Sequence, residues 1–471
     1  FPAFGGPGFH PGMPPHPGMP PAPGMLRPPS EPPAGPTGAN NEAHTDPRVR
    51  AQRPADAAPG KRYTRAALNQ LSELAIAEAS AKELAQLARA LPANETITEV
   101  TLDGTHPETV KATLDALRHN HTVQTLRIEL SLVDFSPKLV DKLTALLEKK
   151  TPLQHLELIV TDAGMQKFSL DQAFFMALFT HPHLTSFKLH GLYAERIYLH
   201  NPQQLAAAVR SNTSLTHLKF VGCQDPAELF KAIAPGLEGN STLKILDLRR
   251  SYLRGCGPAM AAVLKANKGI EQLNMQFSCE VSADDWAQII DALAVNTTVE
   301  EFYFHDIPSS RDQRPALGAS LGAMLKSNQT LTALSIYSKL DLANLTPIRE
   351  GLDANPHLRF FDPGDYIAKE NAPGTTDAAD ALGQLLATNT HLTAVKLRKP
   401  PVSALKGLER NRSISSVWLR DVKDIDDVVQ LLNSNPGITD LKLTHFMDDD
   451  VECEVIAHDI EALVERISGI T

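Results

Sequence analysis

The sequence predicts an α/β solenoid: a right-handed horseshoe with parallel strands on its concave face and helices on its convex face. Three observations carry this. A short template, Asn-x-Thr-Leu-Thr-x-Leu-x-Leu, recurs along the chain, as at Asn212 to Phe220, Asn328 to Ile336 and Asn389 to Leu397. The first apolar residues of successive copies fall at Ile97, Val123, Leu153, Leu184, Leu215, Leu243, Ile270, Val299, Leu331, Leu358, Leu392, Ile414 and Ile438. Their mean spacing is about 28 residues, a length that holds one strand and one helix. Finally, each copy switches from alternation of period two to a helical pattern before the next begins.

Asn stands three residues before the mark in eleven of the thirteen copies; Lys150 and His181 are the exceptions. Leu218 and Phe220 share one side of a short strand, and the run from Pro202 to Ser211 behind them is a helix whose Leu205, Val209 and alanines suit close packing. A single strand and helix cannot bury their own apolar face, so the units must stack into one continuous core.

The segment before the first mark differs. Residues 1–60 carry the tandem phrases at Pro11 to Pro15, Pro17 to Pro21 and Pro23 to Met25, and about half of the chain's 35 prolines. Such a composition is expected to stay disordered, with polyproline II character. It reads as a spacer, as a translocation leader, or as a ligand for a proline-recognition module. Residues 61–92 are expected to cap the solenoid. Leu71, Leu74 and Ile76 look like a degenerate strand, and Ser80 with Glu83 forms a capping-box pattern. The repeats then occupy 93–447, and residues 448–471 read as a C-terminal cap helix opened by Asp448, Asp449 and Asp450.

Two intervals depart from the period. The interval from Leu358 to Leu392 holds an inserted stretch over Pro363 to Gly374, and the region from His190 to Tyr198 is expanded. Insertions of this kind fall on one rim and read as ligand-contacting or as tolerated surface loops.

Composition excludes some function classes. The net charge is −10, which argues against nucleic acid as the main ligand. No apolar run approaches a membrane-spanning length, and no secretory signal is visible. A monomer is expected, either cytoplasmic or delivered into a host cell without a conventional signal peptide. Cys223, Cys256, Cys279 and Cys453 lack the close paired spacing of a zinc site and read as reduced turn residues. The Asn sequons at Asn94, Asn212, Asn240, Asn296 and Asn328 read as structural turn formers. No phosphate loop or nucleophile elbow occurs, no cofactor is implied, and the chain reads as non-enzymatic.

What remains is a surface. Strand residues between the buried apolar ones face the concave side. In the second half these are rich in aromatics and Arg, the residue types that dominate binding hot spots. Tyr303, His305, Tyr337, Phe360, Lys396, Arg398, Trp418 and Arg420 are therefore the candidate partner-binding residues for a protein partner. The alternative is that some of them pack against neighbouring rungs.

The unit resembles the ribonuclease-inhibitor class of leucine-rich repeats over about residues 65 to 470, with Leu331, Leu334 and Ile336 matching its motif. The Asn-x-Thr-Leu-Thr form, with Ala-rich helices such as Leu317 to Leu325, is similar to repeats of effectors that plant-associated bacteria inject into hosts, the GALA type among them. The resemblance implies protein recognition on the concave face, and an effector role. It also implies an alternative, since some activators of small GTPases share this solenoid and supply an Arg or Asn; Arg249, Arg250 and Arg254 would be the candidates here. A scaffold whose Pro-rich leader recruits a partner is a third reading.

Overall fold

The computed structural model describes residues 63–444, apart from 77–78, 104–105, 132–135, 162–169, 192–198, 224–225, 279, 306–313, 337–341, 365–374 and 423. The Pro-rich leader, the expected C-terminal cap, Tyr337, Cys279, Cys453 and most of both inserted stretches lie outside the described residues.

Fourteen strands form one sheet, and each pairs in parallel with its sequence neighbours. They are β1 (Glu73–Ile76), β2 (Glu99–Asp103), β3 (Thr125–Ser131), β4 (His155–Thr161), β5 (Ser186–His190), β6 (His217–Val221) and β7 (Ile245–Asp247). The series continues with β8 (Gln272–Met275), β9 (Glu301–Phe304), β10 (Ala333–Ile336), β11 (Phe360–Asp362), β12 (Ala394–Arg398), β13 (Ser416–Arg420) and β14 (Asp440–Thr444). The strand read as degenerate, β1, is thus a full rung, registered on β2 by Leu74 against Val100 and Ile76 against Leu102. The sheet therefore holds one strand more than the thirteen marks suggest.

One register row shows why the stack holds. Leu74, Val100, Leu126, Leu156, Phe187, Leu218 and Leu246 follow one another across the sheet. Leu273, Phe302, Leu334, Phe361, Val395, Val417 and Leu441 continue the row. Every one of these side chains is essentially inaccessible. Each contributes on the order of 2 kcal/mol of apolar burial, and each depends on a neighbouring rung to be buried.

Helices close the other side of this core. Their ends are specified locally. Ser80 Oγ accepts from the Glu83 amide while Glu83 accepts from the Ser80 amide. Ser282 and Asp285 repeat this reciprocal cap. Adjacent helices need more room than strands about 4.8 Å apart, so the sheet curls inward and becomes the concave face. Small residues set how close the helices come. A Cβ at Gly322, in the helix Arg314–Ser327, would lie 2.3 Å from the carbonyl oxygen of Pro347 in the next helix, Leu342–Ala354.

The repeated Asn residues are the hinge between helix and strand. Asn267 donates from Nδ2 to the carbonyls of Leu237 and Asn240 in the preceding repeat, at 2.6 and 2.7 Å. Its Oδ1 accepts from the amides of Gly269 and Ile270 at 2.8 and 2.7 Å. Asn240, Asn328 and Asn355 make the same four contacts. These side chains are 1–4 % exposed, so they form a buried ladder that ties each turn to its predecessor. At the exception, His181, the imidazole Nδ1 takes the place of Oδ1 and accepts from the His183 and Leu184 amides. The Asn residues of the sequons are thus structural.

Cys223 and Cys256 are buried in the turns after β6 and β7. The whole is a leucine-rich-repeat solenoid.

Candidate functional site

Because the strands are parallel and in register, concave side chains form rows that cross the sheet. The middle row carries Arg127, Glu157, Lys188, Lys219 and Asp247 on β3 to β7. It ends with Ser335, Asp362, Lys396, Trp418 and Lys442 on β10 to β14. This row, and the positions two residues before and after it, make up the concave face of the sheet.

At the C-terminal end, β12 to β14 build a basic aromatic platform. The half-buried Trp418 indole has the Lys396 ammonium 4.6 Å from its ring centroid and the Lys442 ammonium 5.7 Å away. Both attractions are of the cation–π kind. Lys396 also lies 3.6 Å from the buried Asp362 carboxylate. That carboxylate accepts from Ser335 Oγ at 3.0 Å and from the Gly364 amide at 2.9 Å. Trp418 Nε1 is screened from solvent and has no hydrogen-bond partner among the described residues. Above it, Arg398 and Arg420 both approach Asp421, at 3.4 and 3.9 Å.

The structure sorts the predicted candidates. Lys396, Arg398 and Trp418 come together with Arg420 on adjacent rungs. Arg420 is only 4 % exposed, so it supports the platform from within rather than offering it to solvent. Tyr303 lies on the concave side, as its hydrogen bond at 2.8 Å to Glu301 on the same face shows, but it is 5 % exposed. The expectation that its ring presents free aromatic surface is corrected. Tyr303 stands in register between Asn274 and Ser335 with its hydroxyl bonded to Glu301, and little of the ring reaches solvent. Burial and the Glu301 carboxylate push its phenol well above the usual range. Phe360 is half-buried, in register between Ala333 and Ala394, which it helps to cover. His305 stacks on Phe277 at 4.8 Å, and Arg250 lies 5.6 Å from the same Phe277 ring. Phe277 escapes a strand-phase reading because it sits in the turn after β8, with φ +56°.

Two of the three arginines named for GTPase activation sit in ion pairs. Arg249 pairs with Asp247 at 2.9 Å and Arg254 with Glu280 at 2.7 Å. Cys223 is 2 % exposed, with Sγ against the carbonyls of Leu189 and Val221, so it is not presented as a nucleophile. Among the described residues, no group of three or more His, Cys, Asp or Glu side chains is placed to hold a metal ion. No described helix is long and apolar enough to cross a membrane.

No protein-family model matches the sequence, and no curated relative does. Among solved structures, the chain is similar to the leucine-rich repeat-containing protein LegL7 of Legionella pneumophila, at 14 % identity and TM-score 0.36, over 84 % of this chain and 98 % of that one. It is also similar to a chain of the yeast Rad7 and Elc1 complex, at 11 % identity and TM-score 0.40, covering 76 % and 80 % of the two chains. A third similarity is to leiomodin-1 actin-binding site 2, at 21 % identity and TM-score 0.26, over 31 % of this chain and 87 % of that one.

Proposed function

We propose that the protein is a recognition module that holds a protein partner on its concave face, with the platform of Lys396, Arg398 and Trp418 as its anchor. The observation that carries this is Trp418. A large indole stands on the solvent side of the sheet, flanked by two ammonium groups, with its N–H lacking an acceptor. Core packing alone does not call for a Trp there. A partner side chain with a carboxylate would meet the two lysines while the rest of the partner covers the accessible part of the ring, which is the character of an interface hot spot. On this reading the protein works as a monomer without a cofactor and the chemistry is binding, not catalysis.

The resemblance of the repeats to those of injected effectors supports a further step, in which the partner is a host protein met after delivery. A translocation reporter fused to the full chain tests that step separately.

The platform is tested by capture from a candidate host lysate with wild-type protein, Trp418→Ala and Lys396→Met, compared by quantitative mass spectrometry. The proposal expects proteins retained by wild type to be lost from both variants, while circular dichroism and the urea midpoint of Trp418→Ala stay close to wild type. Equal capture by all three proteins refutes it.

A further inference from the structure

A second feature of the concave face lies on β5 to β7, about seven strand spacings or roughly 35 Å along the arc from Trp418. Lys188 and Lys219 are direct register partners on adjacent strands. Like charges placed opposite each other destabilise a sheet, and each normally brings its own counterion. Lys188 has one, since its ammonium meets Glu157 Oε1. The second oxygen of Glu157 is held by Arg127 at 3.4 Å. Lys219 has no hydrogen-bond or ion-pair partner among the described residues, although it is half-buried.

The nearby acid, Asp247, feels the Lys219 charge but makes its close contacts with Arg249. Its Oδ1 accepts the Arg249 amide at 3.2 Å and its Oδ2 the Arg249 guanidinium at 2.9 Å. Among the described residues, Arg249 Nε is nevertheless buried without a hydrogen-bond partner. At the rim, Arg250 has the Phe277 ring as its contact and, among the described residues, no carboxylate. Among the described residues, five cations, Arg127, Lys188, Lys219, Arg249 and Arg250, thus stand among three acids, Glu129, Glu157 and Asp247, in a chain whose net charge is −10.

The histidines register the resulting field. His190 faces Lys188 on its own strand, Glu157 on β4, and Arg249 and Arg250 after β7; burial first and then Lys188 push its pKa down to about 4. His217 is lowered in the same direction by burial, Lys219 and His155.

The geometry points to an anion site on the floor of β5 to β7, formed by Lys188, Lys219 and Arg249 with Arg250 at its rim, which receives the carboxylates of an acidic peptide segment of the protein partner. The cations are carried on or just after three successive rungs about 4.8 Å apart, flanked by Glu157 on β4 and Asp247 on β7. That layout meets charges spread along an extended chain, and the flanking Glu157 and Asp247 disfavour a doubly charged point ligand such as phosphate. The inference rests on the concave face being the recognition surface, and it names the chemistry of what lies there.

The test uses the full chain and a fluorescein-labelled peptide of alternating Glu and Ser, read by anisotropy at low and high salt, with the Gln-for-Glu peptide as control. Lys219→Met removes a half-buried charge with no ion partner, and Arg250→Asn suits the positive φ of 57° at that position, so both variants should fold. Each is expected to weaken acidic-peptide binding by about tenfold, equivalent to ~1.4 kcal/mol. Peptide saturation is expected to raise the His190 pKa seen by NMR. Absence of binding by wild type, equal binding of the Gln peptide, or unchanged affinity in both variants overturns the inference. So does displacement of the peptide by inorganic phosphate at matched charge concentration. If Trp418→Ala loses the lysate partner while Lys219→Met and Arg250→Asn keep it, this inference falls and the platform reading stands. If Trp418→Ala keeps the partner and the two charge variants lose it, the platform reading falls instead.

Discussion

Replacing Asn267 by Ala removes one rung of the buried side-chain ladder. The change deletes four hydrogen bonds of 2.6 to 2.8 Å around a side chain that is 1 % exposed. The Leu237 carbonyl keeps a second donor, the Asn240 amide at 3.1 Å. The cost therefore falls on the Asn240 carbonyl, which loses its donor, and on the Gly269 and Ile270 amides, which lose the acceptor that held them in the turn. At about 1–3 kcal/mol for each buried group left without a partner, the loss is about 4 kcal/mol. The substitution also weakens the coupling between adjacent repeats, on which the cooperativity of a solenoid depends. Urea unfolding followed by circular dichroism should show a lower midpoint and a broader transition. Thr297→Ala serves as control, because that exposed hydroxyl only accepts from Lys268 at 3.2 Å. If Asn267→Ala costs less than about 1 kcal/mol and leaves the transition as sharp as the control, the ladder does not hold the repeats together as argued.

Three further outcomes are expected. His181 is buried and its pKa is pushed from 6.5 down to about 4, chiefly by burial and then by His183 and Lys150. The unfolded chain takes up the proton first, so stability is full above about pH 6.5 and falls as the pH drops toward 4. His181 contributes up to about 3 kcal/mol of that loss, and His181→Asn should flatten the slope in stability measured across this window; an unchanged slope sinks the assignment. Gly322→Ala places a methyl group 2.3 Å from the Pro347 carbonyl, where only backbone could move, and should destabilise by about 3 kcal/mol in the same urea assay. Tyr303→Phe removes one hydrogen bond to Glu301, which still receives Gln272 Nε2 at 2.9 Å; it should cost about 1 kcal/mol in stability and leave partner capture unchanged.

The repeat period, the apolar row and the reciprocal caps were legible because each depends on residues close in sequence. Leu218 and Phe220 alternate over a few positions, and Ser80 reaches only to Glu83. The Asn signal was equally plain, and half of its meaning is local: Oδ1 of Asn267 binds its own turn. The other half, donation to Leu237 and Asn240, belongs to the preceding repeat and depends on the stacking. The strand β1 was underestimated because its own apolar pattern is weak; its pairing with β2 defines it.

The concave surface separates the two kinds of information most clearly. The sequence by itself determined which side chains stand on that face, because strand alternation has period two. It could not determine how far each one emerges, or which charges find partners. Tyr303 and Trp418 occupy equivalent positions in their strands, yet one is covered by its neighbours and the other stands between two ammonium groups. Lys219 makes no ion pair among the described residues because the acids on the flanking rungs make their close contacts with Arg127, Lys188 and Arg249. Exposure and charge balance arise between residues some thirty positions apart along the chain but about one strand spacing apart in space, so only the packed stack of repeats decides them.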